Sequence, residues 1–496
     1  MILEHKTVLL ESAIIQATIS NQILGISSNF INIPYEDQVG NPIVITTLDA
    51  TYIDKVELSS FLNALDLLGV TNPTTFTNSF DLSIISSETS QDILLSSSIM
   101  QATISQTIFD LGSSVLKVPT TNEDGVTLVK VSTGPVGHIT EYIVKSEIKA
   151  MINAFTSMGF SNLSSFGSSI SSTLLFDHSA EILLSSTLQA TLSDQLLGVS
   201  SGTLIIPDKD SLGNNIRIVL PDVTYVSKIE IASIIDALKL LGLTDLTTFN
   251  LSPTVIFGVD FNQLLASSTM QATVSYYILE NANDETALQT EMGLIVPTFF
   301  REIILANSVS QTQVEKAELI SLLTSLQVLN IGDFSGTMDS TIITTMTDSD
   351  LATLLASGSM HTTIDHMLKN NSNINTMIPD LAKETIYGLT DITTKIEIRA
   401  FIEATNILAE GDFTTSSFSY TAIAALSESD RNTVLDSMII RNIITDQLEA
   451  LMASDDDAPT FDLYLPSNAE YMNSDSLTFL TKVGVNNVLL HYGLIS

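Results

Sequence analysis

Apolar residues recur along this chain at offsets of 0, 3, 4, 7 and 10, the stripe of a single α-helical face. After Lys228 the stripe holds Ile231, Ile234, Ile235, Leu238 and Leu241. After Lys55 it holds Leu58, Phe61, Leu62, Leu65 and Leu68, and after Lys145 Ile148, Met151, Ile152, Phe155 and Met158. Lys316 is followed by Leu319, Leu322, Leu323, Leu326 and Leu329, and Lys482 by Val485, Val488, Leu489, Tyr492 and Ile495. Each stripe predicts a helix. A second set steps by four: Ile15, Ile19, Ile23; Met100, Ile104, Ile108; Leu188, Leu192, Leu196; Met270, Val274, Ile278. These predict a second class of helix, preceded by a short helical turn such as 92–95. Ile216, Ile218 and Leu220 alternate with polar residues instead, which predicts a strand.

The two helix types belong to an internal repeat, the first thing to seek in a long chain. Lys-x-Glu-[Leu/Ile] begins at Lys55, Lys145, Lys228, Lys316 and Lys395, and a degenerate copy with Gly484 in place of Glu begins at Lys482. An aliphatic residue precedes proline at Pro34, Pro119, Pro207, Pro297, Pro379 and Pro466. Gln-Ala-Thr-x-Ser begins at Gln16, Gln101, Gln189 and Gln271, decays to His361-Thr-Thr-Ile-Asp365, and ends as Arg441-Asn-Ile-Ile-Thr445. The three landmarks keep one order through six copies of about 85 residues.

The expected fold class is α+β and predominantly helical: a tandem array of six related units spanning 1–78, 79–167, 168–250, 251–335, 336–414 and 415–496. Each unit should have two main helices, a short helical turn and a short strand or β-hairpin. A helix of this length needs packing partners, and the period exceeds the roughly 20–50 residues of thin solenoids. Small tandem domains with repeat–repeat contacts are therefore expected. The array starts and stops inside a unit, so the chain is expected to be a fragment of a longer one.

Local signals sharpen the boundaries. Asp54, Ser227 and Thr394 stand three residues before Glu57, Glu230 and Glu397, the spacing of a capping box. The recurrent glutamate is thus expected to serve backbone amides at a positive helix end. Gly69, Gly159 and Gly242 suit left-handed C-caps, each with a hydrophobe after it. Asn330 can do the same; Ala409 is expected to end its helix differently. The aliphatic-Pro element reads as a strand end, leading through a turn at Gly40, Gly125 or Gly213 into the alternating run, as a hairpin. Ser/Thr-rich segments with Phe76, Phe166 and Phe249 follow the second helix; in later copies the piece after this segment looks helical, as at 421–426, with Ser427 and Asp430 capping onward.

Charge changes the functional picture. The chain has 496 residues, and its net charge of −37 comes from 56 acids against only 19 lysines and arginines. Ser and Thr fill the gap, at nearly a quarter of the residues. Nucleic-acid binding draws on Lys and Arg that displace counterions, and an anionic membrane surface repels such a chain. Nucleic acid is excluded as a partner, an anionic membrane surface is disfavoured, and no apolar stretch is long enough for membrane insertion. With no cysteine, disulfides, thiolate metal sites and Cys nucleophiles are excluded too. The first residues lack a basic segment ahead of an apolar one, so they do not read as a signal peptide.

Chemical motifs are few. Gly198-Val-Ser200-Ser-Gly202 matches the nucleophile elbow, but that motif needs a strand before it and a helix after it. The pattern here predicts the reverse, a helix before it and a strand at 203–206 after it, so the motif reads as a helix C-cap and loop. His361 and Asp365 are four apart on one helix face, with His366 beside them, which could begin a metal site; solvated polar positions are the default expectation. Asp208 with Asp210, and Asp455, Asp456 and Asp457, are oxygen-rich loops that could hold calcium, although neither completes a twelve-residue calcium loop. The segments 463–469 and 489–492 are similar to pieces of fasciclin-type adhesion modules over some thirty residues. The pieces lie too close together, and the other five copies lack His491-Tyr492, so the resemblance is set aside.

With packing residues repeated and no catalytic cluster repeated or unique, the expectation is a non-enzymatic structural or adhesive protein, extracellular or at a cell surface, with a protein or cell-surface partner. The alternative is a calcium- or ligand-binding array. An enzyme with its site in copy five, at His361 and His366, ranks third.

Overall fold

The computed structural model describes the chain outside residues 1–4, 27–29, 74–75, 77–79, 113–115, 164–171, 200–203, 244–250, 252, 283–292, 332–337 and 455–479. It is an α+β fold, mainly helical, with five two-stranded sheets among the described residues.

The five 3.6-residue stripes become helices at Lys55–Leu67, Lys145–Ser157, Lys228–Leu240, Lys316–Val328 and Lys482–His491, the last ending before Tyr492 and Ile495 of its stripe, and the motif at Lys395 opens a further helix, Lys395–Ile407. Their apolar faces are buried, with Leu58, Phe61, Leu62 and Leu65 fully sequestered in the first. The Gln-Ala-Thr class becomes Ala13–Leu24, Ser98–Gly112, Ser186–Val199, Ser268–Asn281, Gly358–Asn370 and Met438–Ala453. The expected helical turn at 92–95 lies inside Glu88–Ser96, and 421–426 falls on Tyr420–Ala424. Ser427 then caps the helix that follows by accepting from the Asp430 amide.

Helix ends follow the glycine signals, with φ of 68°, 79° and 66° at Gly69, Gly159 and Gly242, and 51° at Asn330. Ala409 corrects the expectation made for it. It takes the same left-handed conformation, φ 58°, and the Glu410 amide donates to the Thr405 carbonyl at 3.0 Å. That hydrogen bond, matched by Val70 to Leu65 at 2.9 Å, outweighs the steric penalty of a Cβ at this position.

The hairpins differ from the expected pairing. The alternating run pairs with the residues just before the lysine helix, not with the aliphatic-Pro segment. Val44–Thr46 pairs antiparallel with Thr51–Ile53, Val129–Thr133 with Ile139–Ile143, and Arg217–Val219 with Thr224–Val226. Later in the chain Arg301–Ala306 joins Val309–Val314, and Lys383–Ile386 joins Leu389–Thr393. Across the glycine turns only single bridges form, Glu36 to Pro42, Thr121 to Thr127 and Lys209 to Asn215. Proline removes one ladder donor, and a nearby N–H is taken by a helix. Asn32, Lys117 and Ile295 donate their amides to the hydroxyls of Thr103, Thr191 and Thr363, each at 3.0 Å.

The chain forms two compact units. One comprises Met1–Asn250, Ala266–Met270 and Leu305–Val309; the other comprises Leu251–Leu265, Gln271–Ile304 and Ser310–Ser496. The largest fully buried side chains include Phe61, Phe80, Tyr142, Phe155 and Tyr225 in the first, and Phe401 and Phe413 in the second.

Candidate functional site

The recurrent glutamate is the most instructive side chain. Only half of the capping-box expectation holds. Asp54, Ser227 and Thr394 do accept amides of their own helices. The glutamate carboxylate goes elsewhere, to the start of the Gln-Ala-Thr helix some forty residues downstream. Glu57 accepts from the Ser97 hydroxyl at 2.6 Å and from the amides of Ser98 and Ile99, both at 3.0 Å. Glu147 does the same with Ser185 (2.7 Å), Ser186 (3.1 Å) and Thr187 (2.8 Å). Glu230 takes Ser267, Ser268 and Thr269; Glu318 takes Ser357, Gly358 and Ser359; Glu397 takes Ser437, Met438 and Ile439. All five glutamates are buried. A carboxylate at a helix start meets unpaired N–H groups and the positive end of the dipole, which makes its burial tolerable. For Glu397, burial still pushes the carboxyl above its ordinary range, against the lowering by the Ile439, Ser437 and Met438 bonds.

A second clamp fixes each hairpin to the helix before it. The glutamine of Gln-Ala-Thr-x-Ser donates to the carbonyl of a strand residue: Gln16 to Ile53 (2.8 Å), Gln101 to Ile143 (2.8 Å), Gln189 to Val226 (3.0 Å) and Gln271 to Val314 (3.1 Å). One turn on, the serine hydroxyl accepts the amide of that same strand residue, Ser20 from Ile53, Ser105 from Ile143 and Ser193 from Val226. Two side chains at i and i+4 thus imitate a neighbouring strand for one residue. Tyrosines add longer ties, with Tyr142 Oη donating to the Glu36 carbonyl and Tyr225 Oη to that of Thr121 at 2.8 Å.

Copy five explains the histidine. His361 and Asp365 are both fully buried, not solvated as expected. They occupy the glutamine and serine places. His361 Nε2 meets the Thr393 carbonyl at 2.7 Å, and Asp365 accepts the Thr393 amide at 2.8 Å. The other Asp365 oxygen takes the Lys369 ammonium at 2.7 Å. His366 is half-buried. Among the described residues no three His, Cys, Asp or Glu side chains gather as a metal-holding group.

Asp208 and Asp210 are engaged separately. Asp208 pairs with Arg217 at 2.9 Å. Asp210 closes its turn, accepting from the Leu212 and Asn214 amides at 2.9 and 2.8 Å and from the Asn214 side chain at 2.8 Å. Burial alone would raise the Asp210 carboxyl, but these bonds outweigh it and hold the group below its ordinary value. Asn122 fills the same role uncharged, through Asp124 and Val126. The turn therefore needs an oxygen acceptor and not a charge. Asp455, Asp456 and Asp457 lie outside the described residues, as do Ser200, Gly202, Phe166, Phe249, Pro466 and 463–469. The elbow motif begins within the last turn of the helix Ser186–Val199, at Gly198 and Val199, where a nucleophile elbow requires a strand.

Sequence reasoning missed the serine that receives each carboxylate. Its signal was present, as a serine four residues before each Gln-Ala-Thr position, at Ser97, Ser185, Ser267, Ser357 and Ser437, with Ser12 at the matching place in the first copy. The first compact unit also carries an open groove lined by Lys6, Asn63, Asp66, Thr89 and Asp92, in which Lys6 and Asp66 are 3.6 Å apart as an ion pair. No helix among the described residues is long and apolar enough to cross a membrane. No protein-family model, curated protein or solved structure matches the chain.

Proposed function

We propose that the chain is a non-enzymatic structural or adhesive protein, a tandem array of six units exposed at a cell surface or outside the cell. One observation carries this reading: the residues that recur most faithfully are spent on the chain's own backbone. Five glutamates cap downstream helices, and five Gln or His side chains hold strand carbonyls. A repeated catalytic or ligand site would leave its recurring polar groups facing a cleft. Recurrence in this chain serves packing, which supports an array whose function resides in surface and copy number. Binding then scales with the number of copies through effective concentration. The test is retention of beads coated with the protein on a panel of cell surfaces, using chains that each lack one copy and keep their helical circular dichroism. Graded loss with copy number supports the proposal. Complete loss from one particular deletion, with no effect from any other, refutes it in favour of a single specialised site.

A further inference from the structure

We propose that His361 makes the hairpin 383–393 an acid-released latch: the neutral ring holds Thr393 to the helix Gly358–Asn370, and protonation of the ring frees that hairpin. The Thr393 carbonyl is an acceptor, so Nε2 carries the proton and Nδ1 is bare. Nδ1 is buried and has no hydrogen-bond partner. Protonation would place a second N–H, and a full charge, where nothing accepts either.

The surroundings do not compensate. On the same helix, Asp365 is already shared by the Thr393 amide and Lys369. From the hairpin come Glu384 and the Tyr387 ring, perpendicular to the imidazole at 5.8 Å. Lys395, at the start of the next helix, opposes a second positive charge, while Glu318 is committed to the amides of Gly358 and Ser359. Burial lowers the imidazole below its ordinary value, against the raising effects of the Thr393 bond, Asp365 and Glu384, and Lys395 lowers it further. The folded ring therefore binds its proton later than the unfolded one. The latch is complete above about pH 6.5 and is lost as pH falls below that value. Copies one to four hold the same carbonyl with glutamine at 2.8–3.1 Å, a group that does not titrate. Copy five alone exchanges the pair for His and Asp, keeps both bonds, and acquires a proton-sensitive donor.

The experiment compares amide exchange in the full chain and in His361→Gln at pH 7.5 and pH 5.5, corrected for intrinsic rates. Peptides covering 383–393 should be equally protected in both proteins at pH 7.5. At pH 5.5 the wild type should lose up to tenfold of that protection relative to the variant, while 217–226, held by Gln189, should respond equally in both. The other five histidines are common to the two proteins and cancel. Equal responses at 383–393 overturn the proposal. If the variant fails to fold, the ring-carbon NMR titration of His361 in the wild type decides: a midpoint below 6.5 supports the latch, and one at or above 6.5 refutes it.

Discussion

Replacing Glu147 by alanine tests how strongly a downstream helix depends on its carboxylate. Glu147 is 4% exposed and accepts three hydrogen bonds, at 2.7, 3.1 and 2.8 Å. The substitution strands the amides of Ser186 and Thr187 in a buried site, each costing about 1–3 kcal/mol. Ser185 still accepts the Leu188 amide through its own hydroxyl at 3.2 Å, so part of the cap survives. The buried charge disappears as well, which returns some of its desolvation cost. We expect a net loss of about 3 kcal/mol, the cost of the two stranded amides less the desolvation returned with the charge. Glu147→Gln keeps one oxygen in place but turns an NH2 toward the Ser186 amide; a loss of about 1–2 kcal/mol is expected. Ser185→Ala should cost about 1 kcal/mol, and the double variant should show a coupling energy of about 1 kcal/mol. Urea unfolding followed by circular dichroism, read on the transition that moves, measures all four proteins. A Glu147→Ala loss below about 0.5 kcal/mol, within the range of ordinary surface changes, would refute the reasoning.

Other expected outcomes are smaller or more local. Ala409→Gly removes a left-handed alanine costing about 1–2 kcal/mol but adds unfolded-state freedom of about 0.5–1 kcal/mol. The second compact unit should gain up to about 1 kcal/mol, seen as a raised melting transition in calorimetry. Tyr225→Phe deletes the bond to the Thr121 carbonyl and should cost about 1 kcal/mol by the same urea titration. Phe155→Ala empties a fully buried position and should cost about 3–5 kcal/mol, or leave the first unit unfolded on gel filtration.

Helices were legible because burial on one face forces a 3.6-residue period; the helices at Lys55, Lys145, Lys228 and Lys316 stand where their stripes predict, while the stripe after Lys482 outruns a helix that ends at His491. Left-handed ends were legible where Gly or Asn marks them, and illegible at Ala409, where tertiary hydrogen bonding overrides local preference. The glutamate was half legible. Its spacing from Asp54, Ser227 or Thr394 matches a capping box, and nothing local distinguishes a carboxylate serving its own helix from one serving a helix forty residues on. Hairpin partners were illegible for a related reason, since the amides of Asn32, Lys117 and Ile295 find threonine hydroxyls far along the chain. His361 and Asp365 read as solvated because they are polar. Their alignment with Gln101 and Ser105 in copy two was the available clue that they are buried clamps.

Each of these carboxylates holds the start of a helix about forty residues downstream. Native-state hydrogen exchange of the full chain, with Glu57, Glu147, Glu230, Glu318 and Glu397 replaced by alanine one at a time, tests it most directly. Each substitution should expose amides about forty residues downstream, at 98–99, 186–187, 268–269, 358–359 and 438–439 respectively. Loss of protection confined to the first turn of the helix that carries the glutamate would contradict it.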